Sequence, residues 1–379
     1  MTGAPRLILL AAGGTGGHMF PAEATARTLL ARGHRVLLVT DRRGAAHTEK
    51  FAGSAVRTIA AGGISGRSVL QRVAATFRLG IGFLEARSCI SSMKPDAVLG
   101  FGGYAALPTM AAAVLARLPT ALHEQNAILG RANRLLAPYV RSIATSFEDT
   151  AAVRQTDRVK IVVTGNPVRA DIAVLATQPP FAFKADGPFK LLVTGGSQGA
   201  RVFAHIVPAA IAQLPQSLRG RIAVGQQARP EDVESVRAAY SACGVAADIQ
   251  PFFDDMPARL AACHLAICRA GASTCAELMA SGRPAILVPY PHAIDGHQLA
   301  NAQAIDAAGG AWLIPERHFD AAKLASRLEA LITLPEALAA AARAAQAVAR
   351  IDAAERLASL AERLLPANGN PQPMKVAAE

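Results

Sequence analysis

The sequence predicts an α/β protein of two domains, each built on a parallel sheet with helices on both faces. Strand-like apolar runs alternate with helical patterns along the chain, which is the signature of parallel sheets. The opening string LLAAGGTGG returns as LLVTGGSQG, so that Gly13-Gly14-Thr15 is answered by Gly195-Gly196-Ser197. The offset is 182 residues, about half of the 379-residue chain, and that length suits two domains of ordinary size.

In the first half the predicted strands are RLILLAA (6–12), RVLLVT (35–40), DAVLG (96–100) and PTALH (119–123), with helical patterns at 21–32 and 105–117. The second half repeats the plan with KLLVTGG (190–196), RIAVG (221–225), LAICRAG (265–271) and AILVPY (285–290). The proline-rich stretch 177–190 is the expected linker. The first domain is placed at 1–165 and the second at 166–344. An alanine-rich helix near 345–365 is expected to pack back on the first domain, and 366–379 to be a disordered tail. Each half then opens with strand, glycine turn and helix in the Rossmann-like manner. Ligands of such sheets bind outside the carboxyl ends of the strands, and two facing domains would share an interdomain cleft.

Composition narrows the functional classes. Five cysteines (89, 243, 263, 268 and 275) form no CxxC pair, which argues against a disulfide framework and for a reducing compartment. The apolar stretch 105–116 is too short to span a bilayer, and the N-terminal run is too short for a signal peptide; the expectation is a cytoplasmic protein. A net charge of +11 asks for an acidic partner. With one Trp and four Tyr, the pattern of a nucleic-acid module is missing. The stretch 68–88 sets Val69, Val73, Phe77, Ile81 and Leu84 beside Arg72, Arg78 and Arg87. Most of that apolar face is expected in the core, and an exposed part would suit an anionic lipid interface.

The glycine loop behind the first strand, GGTGGH, lets a ligand approach backbone N–H groups at a helix start. It is a partial dinucleotide fingerprint only, because Met19 stands where the third glycine belongs; Asp41 follows the second strand, where a ribose-binding acid is expected. His18 either packs against the turn or takes a proton from a hydroxyl. GFGGY (100–104) and LHEQN (122–126) end further strands, and TGNPVR (164–169) carries Arg169, suited to a phosphate. In CRAGASTCAEL (268–278), Thr274 and Glu277 have the spacing of a capping box, so Glu277 either holds its own helix start or accepts from a ribose. No spacing among His292, Asp295 and His297, nor in FFDD (252–255), matches a metal-ligand set, and neither metal nor cofactor is expected.

Taken in order, GGTGGH, GFGGY, LHEQN, GNPVR, GGSQGAR, CRAGASTCAE and HQLANA resemble the MurG family of bacterial N-acetylglucosaminyltransferases, from about residue 7 to 350. The resemblance implies the GT-B architecture, UDP-GlcNAc as donor and the undecaprenyl-diphosphate-linked muramoyl-pentapeptide, lipid I, as acceptor. It implies His18 as catalytic base. Thr15, Gly16, Gly17 and Asn126 would lie near the donor sugar and acceptor, and Arg169, Ser197, Gln198 and Gly199 near the nucleotide diphosphate. Glu277 would bind the ribose, and His297 and Gln298 the sugar hydroxyls, although DGHQ stands where some relatives carry two glutamines. Tyr104 and Glu124 would contact the acceptor. Because that acceptor lives in the membrane, the family also implies a peripheral protein on the cytoplasmic face of the inner membrane, docked through Arg72, Phe77, Arg78 and Ile81.

Overall fold

The computed structural model describes residues 5–14, 16–46, 48–62, 69–177, 183–184, 186–196 and 199–365. Thr15, Ser197, Gln198 and the tail 366–379 lie outside the described residues, as does the side chain of Arg72. The chain divides into two compact units, Met1–Arg169 with Asp352–Glu379, and Ala170–Ile351.

Among the described residues, the first unit holds seven parallel strands: β1 (Leu7–Ala11), β2 (Arg35–Thr40), β3 (Ala55–Thr58), β4 (Ala97–Gly100), β5 (Thr120–Glu124), β6 (Ser142–Thr145) and β7 (Ile161–Val163). Their order is β3-β2-β1-β4-β5-β6-β7. Register follows the apolar runs, with Ile8 opposite both Val36 and Ala97. Alternate residues feed two cores. Leu7, Leu9, Leu37 and Val39 enter one, and Ile8, Leu10, Val36 and Leu38 the other. A strand covered on both faces reads as a continuous apolar run, which is why β1 and β2 are legible.

The second unit holds, among the described residues, β8 (Phe189–Thr194), β9 (Ile222–Gln227), β10 (Ala246–Gln250), β11 (Leu265–Cys268), β12 (Ala285–Leu287) and β13 (Ala311–Leu313), all parallel, in the order β10-β9-β8-β11-β12-β13. In both sheets the strand carrying a glycine turn, β1 or β8, stands where the winding reverses. That switch point is where such sheets open a crevice.

The unit boundaries differ from the expected ones. The chain passes between units at Arg169–Ala170 and at Ile351–Asp352, so the stretch 177–190 falls inside the second unit. Within it Phe183 packs edge-on against Phe189 of β8, with ring centroids 5.2 Å apart. The alanine-rich segment is likewise split. Pro335–Ala347 packs within the second unit, and only Ala353–Leu364 returns to the first sheet, where Leu357, Leu360 and Leu364 join the core of Ile8 and Leu29.

The surface helix Val69–Met93 corrects a second expectation. Its core face is Gly82, Phe83, Ala86, Cys89, Ile90 and Met93. A Cβ at Gly82 would stand 1.8 Å from the carbonyl oxygen of Ala60, so that face sits flat on the neighbouring backbone. Val73, Phe77 and Leu84 are instead 62–71% exposed, and Ile81 37%. At spacings of four, four and three they form a single apolar stripe.

Candidate functional site

The first glycine turn is held from β2. Asp41 is buried, and its Oδ1 accepts from the backbone N–H groups of Gly14 and Gly44, both at 2.9 Å. A Cβ at Gly13 would stand 2.7 Å from that of Ala105 and 2.8 Å from Asp41 Oδ1, so glycine is required by space. Asp41 therefore anchors the turn, and its carboxylate is not set out for a dinucleotide ribose. Gly16 and Gly17 open the helix Gly16–Ala31, with His18 one residue on. On the same helix the ring of Phe20 covers Gly16 and lies under the guanidinium of Arg169, 5.6 Å from its centroid.

The carboxyl ends of β4 and β5 converge on the same place. Gly103 stands so close to His18 that a Cβ on it would lie 3.1 Å from the imidazole Nε2. Tyr104 follows at the start of the helix Gly103–Leu115 and is half-buried. The other imidazole nitrogen, Nδ1, lies 3.0 Å from Gln125 Oε1. Gln125 is buried, and its Nε2 donates to the carbonyl oxygens of Phe101 (2.9 Å) and His123 (3.2 Å) and to His123 Nδ1 (3.0 Å). His123 Nε2 in turn donates to the carbonyl of Gly165 at 3.0 Å. Burial, with the neighbouring His18 a smaller contribution, pushes the His123 imidazole down to about 4, so it is neutral at neutral pH.

Glu124, expected to meet an acceptor, is buried and fully engaged. Oε1 accepts from the backbone and side-chain N–H groups of Asn126 (3.0 and 3.1 Å), and Oε2 from Gly130 N and Asn133 Nδ2 (both 2.8 Å). Four donors shape the loop after β5 around one carboxylate, and they orient Asn126.

In the second unit the turn after β8 leads to the helix Arg201–Ala212, whose N-cap residue Ala200 supplies no side-chain cap. Its first N–H groups form the kind of electropositive end that attracts phosphate. Gly199 lies against the Arg229 side chain. The helix after β11 runs Ala272–Ser281 with Gly271 as N-cap, so Thr274 is already inside the first turn and Glu277 lies a turn further on, half-buried. The Thr274–Glu277 spacing is therefore not a capping box here. Arg269, which the sequence reading passed over, pairs with Glu316 at 2.5 Å between the rings of Phe203 and Tyr290.

His297 begins the helix His297–Ala307, and its Nδ1 donates to the Ile294 carbonyl at 2.8 Å. Gln298 Oε1 accepts from Tyr290 N at 2.9 Å, closing the loop after β12. Within the first unit the structure thus brings His18, Gly16, Arg169, Tyr104 and Asn126 to the strand ends around the switch point. Within the second it sets Gly199, Glu277, His297 and Gln298 at the ends of β8, β11 and β12.

Two parallel sheets, each with a glycine turn at its switch point and a helix opening behind it, are the two Rossmann-like sheets of the GT-B fold class. Residues 8–145 match the glycosyltransferase family 28 N-terminal domain and residues 190–362 the family's C-terminal domain. The chain belongs to glycosyltransferase family 28. It is 54% identical over 95% of its length, and 97% of the relative's, to the UDP-N-acetylglucosamine--N-acetylmuramyl-(pentapeptide) pyrophosphoryl-undecaprenol N-acetylglucosamine transferase of Paramagnetospirillum magneticum. It is 53% identical to the transferase of the same name from Rhodospirillum centenum, covering 93% of this chain and 92% of that one. Among solved structures it is similar to Acinetobacter baumannii MurG, with a TM-score of 0.76 at 29% identity, covering 95% of this chain and all of the other.

Proposed function

We propose that this chain transfers N-acetylglucosamine from UDP-GlcNAc to the muramoyl 4-hydroxyl of lipid I, giving lipid II for peptidoglycan synthesis. The observation that carries the mechanism is His18, set at the first glycine turn beside Gly103 with its Nδ1 engaged by Gln125. The acceptor O–H bond breaks as His18 takes the proton. The new bond forms from that oxygen to the anomeric carbon, on the face opposite the leaving group. The bond from carbon to phosphate oxygen breaks, and UDP departs with the electron pair, so the configuration inverts. Near-full-length relatives bearing this activity in their names support the substrate pair.

Residue roles follow by the same reading. Ser197, Gln198, Gly199 and the start of the helix Arg201–Ala212 take the diphosphate, with Arg169 supplying charge. Fixed dipoles and cations of that kind stabilise a leaving group without reorganising. Glu277 accepts from the ribose, and His297 and Gln298 hold sugar hydroxyls. Thr15, Gly16, Gly17, Asn126 and Tyr104 face the sugar and the acceptor. Glu124 acts through Asn126, since its four bonds leave the carboxylate committed to the loop.

The enzyme works as a peripheral protein on the cytoplasmic face of the inner membrane, docked on anionic lipid by the stripe Val73, Phe77, Ile81 and Leu84 with Arg72 and Arg78. The stripe's exposure supports this, and no helix among the described residues is long and apolar enough to cross a membrane. The experiment is UDP release from UDP-GlcNAc with and without a soluble lipid I analogue, in EDTA. Release should require the acceptor, persist in EDTA, and fall by roughly 10²–10⁴ in His18→Ala while donor binding survives. Acceptor-independent release, or wild-type turnover in His18→Ala, would refute the assignment.

A further inference from the structure

The hydrogen-bond chain behind His18 runs in one direction only, and its far end settles every proton in it. The Gly165 carbonyl can only accept, so His123 Nε2, 3.0 Å away, carries a hydrogen and His123 Nδ1 a lone pair. The nitrogen end of the Gln125 amide faces that lone pair and two backbone carbonyls, those of Phe101 and His123. Three acceptors around one atom fix it as the NH₂ group, and the opposite end is the oxygen. That oxygen, 3.0 Å from His18 Nδ1, can only accept.

We infer that Gln125, oriented by the Phe101 and His123 carbonyls and by the His123 ring, holds His18 as the Nδ1–H tautomer and so makes Nε2 the nitrogen that receives the acceptor's proton. Gln125 and His123 are positioning residues for the transfer. Nε2 is the nitrogen nearest Gly103, where any Cβ would stand 3.1 Å from it and 3.3 Å from Cδ2 of the same ring. By those distances the Cβ would sit over the face of the ring at its Nε2–Cδ2 edge, off the in-plane lone pair of Nε2, so glycine lets the backbone pack against that face. The amide also keeps its oxygen on Nδ1–H after Nε2 is protonated, so the imidazolium formed in the transfer retains its partner without a second proton moving.

This inference rests on His18 being the base. It predicts a tautomer that an isolated histidine has no reason to hold, which makes it readable without turnover. In the full-length protein labelled with ¹⁵N-histidine, with the His18 signals assigned by their loss in His18→Ala, the neutral ring should show the protonated shift on Nδ1 and the unprotonated one on Nε2. Gln125→Met, similar in length and without the amide, should release that preference and lower kcat by about 10- to 100-fold. The KM for UDP-GlcNAc should stay within about twofold, a split that general misfolding would not produce. Wild-type His18 protonated on Nε2 overturns the inference, as does a Gln125→Met enzyme that keeps the wild-type tautomer or the wild-type kcat. If Gln125→Met does not fold, the wild-type spectrum decides alone. Wild-type turnover in His18→Ala would remove the base itself, an outcome distinct from a wrong tautomer.

Discussion

The His123 imidazole is fully buried, stacks edge-on to Phe101 at 5.6 Å and takes up a proton only near pH 4, against an ordinary value of 6.5. Between those values the unfolded chain binds more protons than the folded one, so stability falls as pH drops through that window. The loss approaches about 3 kcal/mol at pH 4 and is absent above 6.5. His123→Gln should flatten the unfolding free energy of the first unit between pH 6.5 and 4 relative to wild type. Equal slopes in urea titrations across that range would show that His123 carries none of it. LHEQN is visible in the sequence as four polar residues at a strand end. Its division of labour is not, because the four side chains become distinct only through Gly165, Phe101, Gly130 and Asn133, which come from elsewhere in the chain.

The surface helix Val69–Met93 shows what periodicity can and cannot say. Its apolar positions at 73, 77, 81 and 84 recur as one stripe, and so do 79, 83, 86 and 90. A helix with two apolar stripes has no inside until something packs on it, and Gly82 decides the matter by letting the Ala60 backbone approach. Replacing Phe77 and Ile81 by Asp, or Arg78 by Glu, should weaken binding to vesicles rich in phosphatidylglycerol by tenfold or more, from lost apolar burial and from about 1 kcal/mol per basic residue. Turnover on a soluble acceptor should be unchanged, as these side chains are exposed. Cosedimentation equal to wild type would remove the docking stripe. The strands absent from the sequence reading include the edges β3 and β10, which are short and largely exposed, so alternation of buried and solvent-facing residues is weak in them.

At the scale of the whole chain, the final helix Ala353–Leu364 belongs to the unit that begins the sequence. Leu357, Leu360 and Leu364 are buried beside Leu29, and Arg32 binds both Glu355 and Glu362, the latter at 2.7 Å, with His34 on Glu362 at 3.1 Å. The ion pairs are partly exposed and contribute little beside the leucines. Leu360→Ala should destabilise the first unit by roughly 2–5 kcal/mol and leave the second almost untouched. Hydrogen exchange resolved by segment would show it: faster exchange confined to residues 5–169 and 352–365 is the expected result, and exchange rising in both units would contradict the division.

The sequence by itself determined the two parallel sheets, the paired glycine turns that open them and the family to which the chain belongs. All three are local: apolar runs make buried strands, glycines mark turns, and ordered motifs persist whatever surrounds them. Tertiary structure alone decided which stripe of the surface helix meets solvent, that Thr274 and Glu277 do not form a cap, that the last helix closes the first unit, and which nitrogen of His18 is bare. Three of these depend on a partner distant in sequence (Ala60 for the helix face, Leu29 for the last helix, Gln125 for His18), and the cap on where the helix starts, behind Gly271. A side chain's direction and its proton are properties of that partner as much as of the residue.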